Sequence, residues 1–233
     1  MIEPIHLRAI GGAALLLFIT ILLATYFVNT RAGAARVRAI EVELPLDAEG
    51  VRRSVGDADD PRRKTLLANQ ALDSLLFIPS YTFLFLALSW LLSQRSLPSA
   101  SWLGVAAGAC AFAAAACDYL ENARMNSLLS APLKELSQGL IDSTRHASLA
   151  KWAFCFVTSL LLSSLFLWRR DWLVIIGAVL ALASCVGLLG CVAGLLGSLY
   201  RPLISYTFYV VMLGDLGACL LFLIRPDVLL RQL

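Results

Sequence analysis

Long uninterrupted stretches of apolar residues dominate the chain. The first runs from Arg8 to Val28 and carries no charged residue after Arg8. About 20 predominantly apolar residues allow one helix to cross the hydrocarbon core of a bilayer. Five further stretches meet this requirement, so the pattern predicts an all-α polytopic membrane helical bundle with six transmembrane helices in a single domain, 1–233. The spans are expected at about 8–28, 71–92, 101–122, 152–168, 172–197 and 203–224.

Three connections between the spans are only a few residues long. They lie at 93–100, 169–171 and 198–202. Helices joined by such short connections pack as antiparallel neighbours. The second span should therefore pair with the third, the fourth with the fifth, and the fifth with the sixth.

The first long connection, 29–70, contains two kinds of pattern. Over 39–47 apolar and polar residues alternate, which predicts a short extended segment. Asp60 and Pro61 then supply a helix N-cap and a first-turn proline, so a helix should begin there and continue into the second span. Within that span, Pro79 is expected to produce a kink.

The second long connection, 123–151, carries leucine and isoleucine at helical spacing between charged and amide side chains. The apolar positions are Leu133, Leu136, Leu140 and Ile141. Ser130 followed by Pro132 is a plausible helix start. The pattern predicts a short helix that either lies in the membrane interface or packs on the other helices as an ordinary loop helix.

Composition supports a membrane environment and limits the choice of partners. Only 15% of the residues are charged and 59% are hydrophobic, whereas soluble domains carry about 25% charged residues. The net charge of +3 gives no reason to expect a nucleic-acid partner, so the expected partner is the lipid bilayer. Because signal-sequence cores are roughly 7–15 residues long, the longer first stretch is expected to remain as a helix.

The lysines and arginines are distributed unequally between the two sides of the predicted bundle. Thirteen lie on the side of the two long connections and six on the side of the termini. Since cytoplasmic loops carry the excess of these residues, connections 29–70 and 123–151 should be cytoplasmic. Both termini should then lie on the opposite side.

Small residues form stripes along two spans. They are Gly104, Gly108, Ala111 and Ala115 in the third span, and Ser184, Gly187, Cys191, Gly194 and Ser198 in the fifth. Such stripes let neighbouring helices approach closely. They predict tight packing inside the bundle, with a homo- or hetero-oligomer interface as the alternative.

A compact group of polar residues is predicted at the cytoplasmic ends of the second and third spans. A charge at the bilayer centre costs about 2.5–3.5 kcal/mol on insertion scales, so such side chains should turn toward protein. The two spans are joined at the far side, which puts the polar groups at one depth, with Arg124 as the expected counter-charge. The residues of this group are Asp73, Asp118, Glu121, Asn122 and Arg124.

Asp215 is a separate case, because it lies near the middle of the sixth span. It follows Leu203 by twelve residues, which corresponds to about 18 Å along a helix. No basic residue lies within this span. Asp215 is expected either to accept a hydrogen bond from Thr158 or Ser159 in a structural role, or to form a proton or ion site.

Motifs for cofactors, metals and common catalytic sites are missing from the sequence. The six cysteines form no Cys-x-x-Cys pair and are expected to pack as small apolar residues. His6 and His146, the only histidines, lie outside the spans, which excludes an intramembrane bis-histidine haem. We therefore expect no cofactor and no metal site.

Three short segments give the chain a resemblance to other proteins. They are Ile40–Leu44, Leu72–Tyr81 and Asp118–Asn122. Together they resemble a pattern in small uncharacterised bacterial multi-span inner-membrane proteins. The resemblance implies a bacterial cytoplasmic membrane location and favours a common site for the polar residues, but it implies no activity.

Three hypotheses for function follow from the sequence. In the first, the polar group serves the structure or the assembly of a membrane protein without catalytic activity. In the second, the chain is a small carrier or channel for protons or cations. In the third, it is a membrane enzyme that acts on a lipid headgroup with a divalent ion held by carboxylates.

Overall fold

The computed structural model describes residues 3–31, 42–57, 60–94, 99–168, 171–196 and 201–226. Within these ranges all regular structure is helical and no strand occurs. Six of the helical segments are long and apolar enough to cross a membrane. The prediction of an all-α polytopic bundle is therefore confirmed.

The helices are longer than the predicted spans at several ends. They are α1 (Pro4–Arg31), α2 (Ala48–Val55), α3 (Pro61–Leu72), α4 (Ile78–Ser93), α5 (Ala100–Ser130), α6 (Gln138–Leu167), α7 (Leu173–Leu195) and α8 (Arg201–Ile224). A π-helical segment, Asp73–Phe77, joins α3 to α4, and a short 3₁₀ turn, Leu133–Glu135, lies between α5 and α6.

Helix α6 is the central helix of the bundle. It packs between α5 and α7 and also contacts α4 and α8, while α1 closes the ring by packing on α8 and α4. In the most apolar stretch of α6, 67% is buried, against 28–39% for the other five candidate spans. Averaged over this stretch, the residues of α6 are therefore more sheltered from lipid than those of any other candidate span.

The continuous rod formed by α3, the π-helical segment and α4 begins where the sequence indicates. The Asp60 side chain accepts a hydrogen bond from the Arg62 backbone N–H, and Pro61 occupies the first turn. Pro79 lies in the first turn of α4, directly after the π-helical segment. Because proline has no N–H to donate to the preceding turn, the irregular hydrogen bonding falls just before it.

The prediction of a separate amphipathic helix within 123–151 is wrong. Ser130 is the last residue of α5, and α6 begins at Gln138, where the Ser137 side chain accepts a hydrogen bond from the Leu140 N–H. Residues from Gln138 onward are thus the first turns of the central helix. Leu133 belongs to the 3₁₀ turn, whereas Leu140 and Ile141 belong to α6, so the regular apolar spacing spans two different elements.

A second, smaller apolar core lies beyond the polar residues of α5. Helix α5 has 31 residues, about 46 Å by the usual rise, which exceeds a hydrocarbon core of about 30 Å. Its last turns pack with α2, α3 and the start of α6 in a unit that we call the cap. The cap core consists of Val42, Val51, Val55, Leu66, Met125, Leu128, Leu129 and Ile141.

Within the cap, Arg63 joins α3 to the end of α5. Its guanidinium Nη1 donates to the carbonyl oxygens of Leu129 at 3.0 Å and Ala131 at 2.9 Å, and the side chain is buried. A cation at a helix C-terminus is favourable because the last carbonyl groups are otherwise unpaired.

Residues 42–46 cross the junction between the cap and the bundle, and we call them the strap. Val42 packs in the cap core, whereas Leu44 is fully buried against Leu149 and Phe156 in the bundle. The backbone of Val42 and Glu43 is helical, so the extended segment predicted over 39–47 is wrong at these positions. Residues 39–41 lie outside the described ranges.

The small-residue stripes are used for packing inside the chain. A Cβ atom at Gly104 would lie 2.6 Å from the Ser89 carbonyl oxygen, and Gly187 accommodates the ring of Phe156. Gly194 packs against Leu149 in the same way. Neighbouring helices of the same chain thus occupy these positions of the stripes. Oligomerisation through the stripes stays a prediction. Ser198 lies outside the described ranges.

Candidate ionic site at the junction of bundle and cap

Lys151 of α6 is the centre of a buried ionic cluster. Its Nζ lies 2.8 Å from Oε2 of Glu121, 3.4 Å from Oδ1 of Asp118 and 3.4 Å from Oε2 of Glu43. The lysine side chain is 8% exposed. The three carboxylates come from α5 and from the strap, so one ammonium group joins three segments of the chain.

Asp118 is held at both of its oxygens. The Tyr81 hydroxyl of α4 donates to Oδ2 at 2.9 Å, while Oδ1 faces Lys151. Both Tyr81 and Asp118 are buried. The hydrogen bond adds α4 to the helices that meet at the cluster.

Asp73 and Asn122 meet across the π-helical segment. The Asn122 amide nitrogen donates to Oδ2 of Asp73 at 2.6 Å and to the Ser74 hydroxyl oxygen at 3.0 Å. The Tyr119 hydroxyl donates to the Ser74 carbonyl oxygen at 3.0 Å. The irregular backbone thus presents two polar side chains to α5. We use the name ionic cluster for Glu43, Asp73, Tyr81, Asp118, Glu121, Asn122 and Lys151.

An aromatic ring also contacts the lysine. Nζ of Lys151 lies 4.6 Å from the ring centroid of Trp152, a distance at which a cation is attracted to the π face. Trp152 in turn makes an edge-on contact with Phe208, with ring centroids 4.5 Å apart. This contact links the cluster to α8.

The counter-charge of the acidic residues differs from the prediction. Arg124 was expected to fill this role, but no carboxylate of the described ranges forms an ion pair with it, and Lys151 fills the role instead. Arg124 was chosen because it follows Glu121 by three residues in sequence. Lys151 reaches the acids only because α6 packs along α5, which no local spacing reveals.

Acidic groups outnumber basic groups in the cluster. Glu43, Asp73, Asp118 and Glu121 supply four carboxyls, and Lys151 supplies the one ammonium group among them. If all five groups were ionised, the cluster would carry a net charge of about −3. Such an excess of charge in a buried region is unfavourable unless hydrogen bonds compensate it.

Asp215 lies apart from the ionic cluster. Its Oδ2 accepts a hydrogen bond of 3.0 Å from Ser159, one of the two hydroxyl partners expected from the sequence. Thr158, the other, donates to the Phe154 carbonyl oxygen of its own helix. Asp215 and Ser159 are both buried.

Four residues of the site were not found by sequence reasoning. Lys151 was assigned to the connection, because the fourth span was placed from residue 152 onward. Glu43 lay in a segment interpreted as extended, and Tyr81 and Ser74 were not connected with the acids. A usable signal for Lys151 is the helical spacing of Leu140 and Ile141, because α6 runs without a break from Gln138 into the fourth span.

The described residues include no group of three or more histidine, cysteine, aspartate or glutamate side chains arranged to hold a metal ion. The six cysteines are all free thiols.

No protein-family model matches the chain, and no curated protein or solved structure matches it significantly. The chemistry of the site must therefore be argued from its own geometry.

Proposed function

We propose that the ionic cluster is an assembly element in a multi-pass protein of the bacterial inner membrane. The supporting observation is the position of Lys151, whose ammonium group lies within 3.4 Å of carboxylates from α5 and from the strap. The cluster fixes the register of α4, α5 and α6 and fastens the strap over their ends.

Energetics support this assignment. Removing one partner of a buried ion pair typically costs 3–5 kcal/mol, because the other charge stays buried without compensation. The groups of the cluster also have defined partners, including the Tyr81 hydroxyl for Asp118 and the Asn122 amide for Asp73. A network of this kind restricts how the helices and the strap can move.

The experiment compares wild type with Lys151→Met and with Lys134→Met, an exposed lysine of the 3₁₀ turn. Hydrogen–deuterium exchange should increase over residues 42–57 in Lys151→Met, because the strap loses its partner for Glu43. Lys134→Met should leave exchange in this segment unchanged. Equal exchange in all three proteins would contradict the proposal.

A second candidate function is a small proton- or cation-coupled carrier. It is favoured by the excess of carboxyls over ammonium groups in the cluster and by the buried Asp215. Wild-type protein in liposomes should then dissipate an imposed pH gradient faster than empty liposomes, and Lys151→Met should lose this flux. Flux equal to that of empty liposomes would contradict the carrier function.

We further propose that the long connections face the cytoplasm. Among the residues whose burial the structure describes, Arg63 and Lys151 on that side are buried in the protein. Without these two, the count is eleven against six. The positive-inside rule still favours the same orientation. A membrane-impermeant thiol reagent should label a Ser137→Cys variant only after the membrane is opened, with Ser99→Cys as the control for the opposite side.

A further inference from the structure

A second polar site lies in the bundle, on helices α6 and α8. Ser159 donates to Asp215 at 3.0 Å, and the two residues are 0% and 4% exposed. No basic side chain of the described ranges forms an ion pair with Asp215. A carboxylate that is buried without a cation is costly, so this carboxyl requires further partners.

The packing of α7 on α6 identifies one such partner. Gly187 packs on Phe156, Gly194 on Leu149, and Gly177 on Phe166 and Leu167. Each step forward along α7 goes with an equal step backward along α6, so the two helices are antiparallel and keep one register. The same register places Ser184 of α7 opposite Ser159 of α6.

Ser184 has an unusual hydroxyl group. The residue is 0% exposed, and its Oγ has no hydrogen-bond partner. By contrast, buried hydroxyls on α6 donate to carbonyl oxygens of their own helix, as Thr158 does to Phe154 and Ser163 to Leu160. Ser184 therefore retains a free donor and acceptor at the level of Ser159.

Helix α8 brings Asp215 to the same level. Gly214 packs on Leu180 of α7, and Leu180 lies one helical turn from Ser184. Asp215 follows Gly214 directly and bonds Ser159 across to α6. One carboxyl and two hydroxyls, each from a different helix, thus lie at the same level in the interior of the bundle.

We infer that Asp215, Ser159 and Ser184 form a site that binds one proton. A proton added to a carboxylate oxygen gives a neutral carboxylic acid, whose new O–H donates to Ser184 Oγ while Ser159 continues to donate to the other oxygen. When the proton leaves, both serine hydroxyls donate to the carboxylate. The site is independent of the proposed assembly role of the ionic cluster.

The surroundings of the site carry little other charge. The titratable groups on α6, α7 and α8 nearest to it in sequence are thiols, and Lys151 lies two turns before Ser159 on α6. Helix α1, which also packs on α8, has no charged residue between Arg8 and Arg31. The thiols are Cys155, Cys185, Cys191 and Cys219.

The test is an infrared titration of the purified protein in lipid nanodiscs. The band of a protonated carboxylic acid should appear and disappear with pH in wild type, and Asp215→Asn should remove this component. Ser184→Ala should raise its midpoint by about one pH unit, a tenfold change in proton affinity, because the hydrogen bond that is lost is stronger to the carboxylate than to the neutral acid. Ser163→Ala, whose hydroxyl bonds its own helix, should leave the midpoint unchanged.

Three results would overturn the inference. One is an unchanged titration in Asp215→Asn, and another is an equal midpoint in wild type and Ser184→Ala. The third is a midpoint that moves with sodium concentration, because the site would then hold a metal cation. If Asp215→Asn does not fold, the midpoints of Ser159→Ala and Ser184→Ala provide the test, since both variants keep the carboxyl group that titrates.

Discussion

The ammonium nitrogen of Lys151 lies 2.8 Å from Oε2 of Glu121, and neither side chain has more than 8% of its surface exposed. Lys151 belongs to the central helix α6, and Glu121 to α5, which packs along it. The pair lies where the core of the bundle meets the cap core. Asp118 of α5 and Glu43 of the strap also face the lysine, so the contact extends to the strap.

The coupling between Lys151 and Glu121 can be measured with a double-mutant cycle. Lys151→Met should lower the free energy of unfolding in detergent by about 3–5 kcal/mol, because it leaves buried carboxylates without a cation. Glu121→Gln should cost less, since Asp118 and Glu43 still face the lysine. The double variant should be more stable than the sum of the two losses implies. Strict additivity would contradict an interaction between the two side chains.

The tetrapeptide Ser-Tyr-Thr-Phe occurs at 80–83 and again at 205–208, which provides a matched pair of tyrosines. Tyr81 is buried and donates to Asp118, whereas Tyr206 is 71% exposed. Tyr81→Phe should lower the free energy of unfolding by about 1.5–3 kcal/mol, the usual range for a hydrogen bond to a charged group. Tyr206→Phe should change it by less than about 0.5 kcal/mol. Similar losses at both positions would show that the hydrogen bond is not the cause.

The contact between α6 and α7 depends on the absence of a side chain at Gly187. A Cβ there would collide with the Phe156 ring, so Gly187→Ala should cost about 1–3 kcal/mol of unfolding free energy. Phe156→Leu in the same chain should recover part of the loss. Gly217→Ala is the control: nothing lies within 4 Å of its Cβ position, and alanine is the better helix former, so its midpoint of thermal unfolding should not fall.

The N-cap of α3 should make a pH-dependent contribution to stability. The hydrogen bond from the Arg62 guanidinium holds the pKa of Asp60 below its ordinary value of 3.8. A lowered pKa in the folded state means that the contribution is complete above the unfolded pKa and is lost as pH falls through the folded pKa. Asp60→Ala should cost about 1 kcal/mol at neutral pH. The difference from wild type should become smaller in strong acid, because the part that depends on the ionised carboxylate is lost.

The Asp60 prediction has an internal comparison. Asp60→Asn keeps a capping oxygen but cannot titrate, so its unfolding free energy should lie close to wild type at neutral pH. Its difference from Asp60→Ala should persist in acid, since both variants lack the carboxyl group. A pH dependence in Asp60→Asn equal to that of wild type would assign the effect to another residue.

The membrane class and the number of membrane-spanning segments could be predicted from sequence, because each span must satisfy its backbone hydrogen bonds internally in lipid. This requirement leaves a local signal, about 20 apolar residues, that needs no knowledge of the neighbours. The helix N-cap at Asp60 and the close packing at Gly104 were predictable for a similar reason. Each depends on residues within one or two turns of a single helix.

Only the tertiary structure decided how Lys151 and Ser184 join these polar groups. Lys151 lies 30 residues beyond Glu121 and more than 100 beyond Glu43, and no periodicity in the chain relates these positions. The same holds for Ser184, which reaches the level of Ser159 through the register of α7 on α6. The sequence by itself determined that buried carboxyls must turn away from lipid. The packing of the long central helix α6 determined what they face, because contacts between helices depend on three-dimensional register and not on spacing along one segment.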